Sequence, residues 1–161
     1  LASIPTEPFV IRNDDNISVM GDNKTERLKE LIAEFTTISS EILLDNSEAM
    51  TAFRAIISNI KMDGNNKKDW ENLDVGTGAA NSFPFLRFFT PPLTEPRSRG
   101  IQFEYAADTG QRANGILIGK ILQNLANGTA PRDTYLQSFY ENEIGEVEKQ
   151  NIRDLLDKIS A

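Results

Sequence analysis

Apolar residues recur along this chain at intervals of three and four, which is the spacing of one face of an α-helix. The strongest stripe lies within residues 109–126 and consists of Leu117, Ile118, Ile121, Leu122 and Leu125. Residues 24–43, 47–62 and 146–160 carry similar stripes, and Pro131 suits the first turn of a further helix. The pattern predicts an all-α fold, a helical bundle with an N-terminal arm, a long aromatic Pro-rich loop and a C-terminal helix.

The first two predicted helices are joined by a short link at residues 43–46, which favours an antiparallel helical hairpin. The inward positions predicted for the first helix are Leu28, Leu31, Ile32, Phe35, Ile38 and Ile42. Those predicted for the second are Met50, Phe53, Ile56, Ile57 and Ile60. Gly115 and Gly119 lie four apart in the 109–126 helix, where glycine costs about 1 kcal/mol relative to alanine, so close packing is expected there.

Two segments do not show the helical pattern. Residues 1–22, the N-terminal arm, contain Pro5, Pro8 and several turn-forming residues. Residues 63–100 contain Gly64, four phenylalanines and four prolines, and are predicted to form a long loop followed by an extended piece at 101–105. The predicted organisation is therefore an arm at 1–22, a helical core domain at 23–145 and a C-terminal helix at 146–161.

Composition narrows the chemistry. The 161 residues carry a formal charge of −7 and include neither cysteine nor histidine. A Ser-His-Asp or Cys-His hydrolase is thereby excluded, as are disulfides and thiolate zinc sites. Acidic runs, such as Glu141, Glu143, Glu146 and Glu148, are interpreted as solvated surface. We expect a protein that is not an enzyme and has no metal or cofactor; an enzyme that uses carboxylates or a bound cofactor is the less favoured alternative.

The sequence gives no sign of a membrane partner. No apolar run approaches the roughly 18–20 residues that a spanning helix needs. The first ten residues lack the continuous apolar segment of a signal peptide, so secretion is not expected.

One region is locally basic in an otherwise acidic chain. Residues 79–113 contain Arg87, Arg97, Arg99 and Arg112 against three acidic residues. Arginine suits forked contacts to phosphate, and nearby aromatic rings suit base stacking. These four arginines are the candidate nucleic-acid-binding residues; the alternative is that they are surface arginines paired with neighbouring carboxylates.

Aromatic side chains are the candidate contacts between subunits. They are concentrated in residues 83–89, and aromatic residues are enriched at interface cores. The predicted interface residues are Phe83, Phe85, Phe88, Phe89 and, from the arm, Phe9.

Residues 108–140 resemble the coat proteins of rod-shaped plant RNA viruses, of the tobamovirus and tobravirus type. The resemblance is carried by an acidic turn at Asp108 before a long helix, the break at residues 127–129, Arg132, and Ser138-Phe139. The helical hairpin at 24–60 and the aromatic Phe83-Pro84-Phe85 also resemble that family. A flexuous filament coat protein is an alternative relative, because Arg99 precedes Phe103-Glu104-Tyr105 in a similar pattern.

The resemblance implies a structural assembly protein, a viral coat subunit that forms a helical filament around single-stranded RNA. Its partners would be further copies of itself and RNA, and its location the virion and the host cytoplasm. A helical adaptor or scaffold subunit that binds protein without nucleic acid remains the alternative.

Overall fold

The computed structural model describes residues 1–21, 23–66 and 75–161. The α-helices are α1 (Thr25–Leu43), α2 (Glu48–Asn66), α3 (Val75–Pro84), α4 (Thr90–Thr94), α5 (Gln111–Asn127), α6 (Thr134–Asn142) and α7 (Glu146–Ile159). A π-helix (Phe85–Phe89) joins α3 to α4, and a 3₁₀ turn (Arg97–Arg99) follows α4. In these residues the strands are β1 (Val10–Arg12) and β2 (Ser18–Met20), paired antiparallel with Val10 opposite Met20. The predicted all-α fold class is confirmed.

Helix α5 lies at the centre of the bundle and contacts α1, α3, α4, α7 and the π-helix. The five apolar side chains of its predicted stripe are all buried. The stripe of α7 is equally well predicted, since Ile152, Leu155, Leu156 and Ile159 are buried in the same core. The C-terminal helix is therefore packed as part of the bundle.

Glycine lets α4 approach α5 closely, as the sequence predicts. A Cβ on Gly115 would lie 2.3 Å from the Tyr105 hydroxyl and 2.9 Å from the Leu93 carbonyl oxygen. A Cβ on Gly119 would meet a methyl group of Thr90 at 3.1 Å. The helix-propensity cost of these glycines is offset by the packing that they permit.

The N-terminal arm is fastened to α5 by a buried amide. The Asn114 side chain accepts a hydrogen bond from the Phe9 N–H at 2.8 Å and donates to the carbonyls of Pro5 and Glu7, each at 2.8 Å. The Gln111 amide donates to the Ile4 carbonyl at 2.8 Å. These bonds satisfy the backbone of a segment that has no regular structure, so Ile4 and Phe9 can enter the core.

The long loop predicted at 63–100 is wrong for most of its length, because Val75–Thr94 is helical. Pro91 and Pro92 lie in the first turn of α4, where an N–H has no partner within a regular helix and proline is tolerated. The π-helix is closed by a hydrogen bond from the Thr90 N–H to the Phe85 carbonyl. Residues 67–74 of the predicted loop, and Asp22 at the end of the arm, lie outside the described residues. Residues 101–105 are irregular, with Phe103 and Tyr105 half-buried and their neighbours exposed.

The first two helices, which the sequence predicts as an antiparallel hairpin, contact each other, but this is not the main packing of the second helix. Helix α2 packs chiefly against α3 and contacts α1 much less. The guanidinium of Arg54 donates to the carbonyls of Leu43 at 2.6 Å and Asp45 at 2.8 Å. The Arg54 side chain of α2 therefore caps the end of α1 and holds the short link between the two helices.

Replacing Asn114 by alanine should lower the free energy of unfolding by about 2 kcal/mol or more, because it leaves the buried Phe9 N–H and two carbonyls without partners. Chemical denaturation measures this change. Lys120→Ala on the same helix is the matched control: Lys120 is exposed and its ion pair with Asp133 spans 3.6 Å, so its loss should cost less than about 1 kcal/mol. Equal effects of the two substitutions would show that the amide does not hold the arm.

Candidate functional site

Two of the four candidate arginines are paired with glutamates. Gly100 has a positive φ of 79° and reverses the chain after the 3₁₀ turn. Arg97 forms an ion pair with Glu104 from the returning segment. Arg112, from the first turn of α5, pairs with Glu95 at 3.1 Å and donates to the Thr94 carbonyl at 3.2 Å. For Arg97 and Arg112 the structure therefore matches the alternative interpretation, surface arginines paired with carboxylates.

Arg97 and Arg112 line one shallow concavity of about 400 Å³, which opens beside the end of α4. Its lining also includes the rings of Phe103 and Tyr105, whose centroids are 5.4 Å apart in an edge-to-face arrangement. Two guanidinium groups and two aromatic rings thus share one open surface, together with the two glutamates that neutralise the guanidinium groups. Chemically, this surface suits a planar anionic ligand only if the glutamates release their partners.

Tyr105 anchors the segment that lines this concavity. Its hydroxyl donates a 2.6 Å hydrogen bond to the Leu93 carbonyl in α4. Burial raises the pKa of Tyr105 to about 12, and the nearby positive charge of Arg112 opposes that rise. The phenol is therefore a neutral donor at physiological pH, and it ties the returning segment to α4.

The other two arginines lie apart from these ion pairs. Arg99 lines a neighbouring concavity with Thr94, Glu95 and Ser98. Arg87 lies on the π-helix and lines neither concavity. No carboxylate in the described part of the chain pairs with Arg87 or Arg99. The predicted cluster is therefore divided among a paired site, a free guanidinium beside it and a separate one on the π-helix.

The predicted interface aromatics separate into core and surface residues. Phe9 and Phe85 are fully buried within the chain, so their prediction as contacts to a neighbouring subunit is wrong for this folded form. Phe83 and Phe89 are half-buried, and Phe88 is 39% exposed. The Phe88 ring packs against Phe53 of α2, with centroids 5.3 Å apart. Helical geometry turned some members of the aromatic segment inward, which a loop prediction could not anticipate.

An exposed apolar surface on the second half of α1 was missed by sequence reasoning. The predicted inward residues Ile38 and Ile42 are 42% and 38% exposed. Thr36 and Ser39 are buried instead, and their hydroxyls donate to the carbonyls four residues earlier at 2.8 and 2.7 Å. The available signal was that α1 carries two adjacent stripes, Leu31-Phe35-Ile38-Ile42 and Leu28-Ile32-Thr36-Ser39-Leu43. The first is covered only near its start, and the second is covered throughout.

In the part of the chain that the structure describes, no three carboxylates converge in a way that could hold a metal ion. The helices within the same ranges include none that is long and apolar enough to cross a membrane.

The sequence matches no protein-family model, and no curated protein matches it.

The stability of the fold should fall in alkaline solution through Tyr105. Because its pKa is raised above the ordinary value of 10.0, the phenol's contribution is complete below pH 10 and is lost as the pH rises toward 12. Urea denaturation should show that the free energy of unfolding falls less between pH 8 and pH 11 for Tyr105→Phe than for the unaltered protein. At pH 8 the variant should already be less stable by about 1 kcal/mol, since its hydrogen bond to Leu93 is gone. The same pH dependence in both proteins would mean that this phenol is not protected from ionisation.

Proposed function

We propose that this protein is a structural assembly protein, a viral coat subunit that polymerises into a helical filament around single-stranded RNA. The observation that carries the proposal is the exposed apolar stripe on the second half of α1. Ile38 and Ile42 face solvent while polar Thr36 and Ser39 occupy the interior. A helix that buries hydroxyls and exposes isoleucines is suited to bury those isoleucines against another molecule.

The location of α1 in the bundle supports this interpretation. Leu28, Leu31 and Ile32 are fully buried in its first half, and Leu43 is fully buried at its end. The helix is thus anchored at both ends, so Ile38 and Ile42 cannot turn inward without exposing those leucines. The apolar stripe is a fixed feature of the surface and would be covered by association.

The RNA component of the proposal is supported by the surface between α4 and α5. Arg99 is exposed and has no carboxylate partner in the described residues, and it lies next to the concavity that holds Arg97 and Arg112. The ion pairs of those two arginines are solvent-exposed, and such pairs contribute about 0–1 kcal/mol. Phosphate groups of an RNA backbone can therefore replace Glu95 and Glu104 as partners of the two arginines at low energetic cost. The rings of Phe103 and Tyr105 offer stacking faces beside them.

The alternative is a helical adaptor or scaffold subunit that binds protein without nucleic acid. It is favoured by the same two ion pairs, because they halve the number of unpaired arginines among the four candidates in a chain of net charge −7. The exposed stripe of α1 would serve either function. The two proposals therefore differ in whether a polyanion is bound.

Electron microscopy of the purified protein, together with its absorbance ratio at 260 and 280 nm, tests the proposed function. We expect long filaments with a ratio typical of nucleoprotein. Filaments without nucleic acid would retain self-assembly and remove the RNA component. Uniform small particles, both with and without added single-stranded RNA, would contradict the coat-subunit proposal.

Arginine substitutions test the RNA surface separately. Arg99→Ala should weaken binding of a labelled RNA oligonucleotide more than Arg97→Ala, because phosphate can contact Arg99 directly, whereas contact with Arg97 requires displacement of Glu104. Fluorescence anisotropy at two salt concentrations measures this, and the salt slope should fall by about one for each phosphate interaction that a substitution removes. Lys158→Ala, which removes a cation from the last turn of α7 and lines neither concavity, is the charge-matched control. Equal weakening by all three would indicate an effect of net charge alone.

A further inference from the structure

Carboxylates line one side of the exposed stripe of α1, and the guanidinium of Arg54 caps the end of the helix at the Leu43 carbonyl. Glu34 and Glu41 are exposed and lie on the side of the helix next to Ile38 and Ile42. Residues 30–53 contain five carboxylates and no lysine or arginine. No cation in the described residues pairs with Glu34 or Glu41. We call Ile38, Ile42, Glu34 and Glu41 the acidic face.

The π-helix carries a surface of the opposite sign. Leu86, Arg87 and Phe88 are three successive exposed residues, with Leu86 48% and Phe88 39% exposed. Arg87 is the only charged residue between positions 75 and 94. We call these three residues the basic face.

Proline accounts for the shape of the basic face. Pro91 and Pro92 have no N–H to donate to the preceding turn, and in a regular α-helix their rings would clash with the carbonyls four residues earlier. The wider π turn instead bonds the Thr90 N–H to the Phe85 carbonyl. Segments of this kind are rare and are frequent at functional sites. Leu86 and Phe88 thus lie on either side of Arg87, and Phe88 also packs against Phe53 within the chain.

We propose that the acidic face of one subunit binds the basic face of a second copy of the same chain. Arg87 lies between Glu34 and Glu41 of its neighbour, and Leu86 and Phe88 cover Ile38 and Ile42. This contact rests on the proposed function, since it supplies the subunit interface of the polymer.

The charges select this pairing over the symmetric ones. Two acidic faces brought together would juxtapose carboxylates, and two basic faces would juxtapose guanidinium groups, so both symmetric contacts are unfavourable. Only the contact between unlike faces joins apolar surface and opposite charge. Such a contact leaves one acidic and one basic face free at the two ends, so it propagates instead of closing as a dimer, and it gives an open helical polymer when its rotation does not close a ring.

Charge reversal in the full-length chain tests the contact. One variant carries Glu34→Lys with Glu41→Lys, the second carries Arg87→Glu, and the third combines all three changes. All substituted side chains are exposed, so circular dichroism and thermal melting should show folded proteins. Glu26→Lys with Lys158→Glu, at positions outside both faces, is the control that rearranges charge without touching the contact.

Sedimentation velocity should show that the first two variants each raise the concentration required for assembly by about tenfold or more, because each places like charges in the contact. An equimolar mixture of the two should assemble again, since each variant's reversed face then meets a complementary face on the other. The combined variant should assemble alone, and the control should resemble the unaltered protein.

The possible outcomes separate this inference from the proposed function. If the unaltered protein and the variants polymerise equally well, the pairing of these faces is overturned. The coat-subunit proposal would still stand. Loss of assembly without recovery in the mixture would also overturn it, since recovery depends on direct contact between the reversed faces. Discrete dimers of the unaltered protein would overturn the head-to-tail arrangement, whereas the proposed function itself fails if the unaltered protein does not assemble with or without RNA.

Discussion

The packing of this bundle depends on the side-chain amide of Asn114. An irregular segment can enter a protein core only if its backbone polar groups find partners, since an unpaired group costs about 1–3 kcal/mol. Asn114 supplies three such partners to residues 5–9, and Gln111 supplies one to Ile4. Phe9 is thereby held fully buried, and its carbonyl accepts the Gly21 N–H at 2.7 Å, which fixes the hairpin of β1 and β2. The arm also meets the start of α1, because Glu7 pairs with Lys24 just before that helix begins.

Helix α5 combines three kinds of contact on its different sides. Its leucine and isoleucine stripe packs in the core, its amides hold the arm, and Gly115 and Gly119 admit α4. The approach of α4 determines the candidate RNA surface, because Tyr105 reaches the Leu93 carbonyl above Gly115. Arg112 reaches Glu95 and the end of α4 from the same helix. The arginine surface is therefore a consequence of close helix packing and not of local sequence alone.

The sequence predicted the elements whose pattern had a single explanation. The stripes of α5 and α7 each fill one narrow face, and all of their members are buried. Prediction failed where two physical effects competed. Pro91 and Pro92 normally indicate a loop, but at the start of a helix they are compatible with it, and this distinction depends on the tertiary position of α4.

Tertiary context also decided the remaining errors. The apolar positions of α1 span more than one face, and periodicity cannot say which part of a wide stripe its neighbours will cover. Four arginines in a window do not reveal that Arg97 and Arg112 meet glutamates, because those partners are brought close by the reversal at Gly100 and by helix packing. Phe9 and Phe85 belong to a residue type that is enriched at interfaces, and only the folded chain shows that they are core residues.

The exposed apolar residues and the net charge of −7 together constrain how such a chain could assemble. Like-charged subunits repel, so an apolar surface with no specific charge pattern would be opposed at every approach. In the proposed contact, carboxylates beside one apolar face meet a guanidinium beside the other, which makes a single relative orientation attractive against that background. Added salt screens the general repulsion and the specific attraction together, whereas burial of the isoleucines, Leu86 and Phe88 is not screened. In the proposed assembly, charge selects which surfaces meet, and apolar burial supplies the larger part of the free energy once they have met.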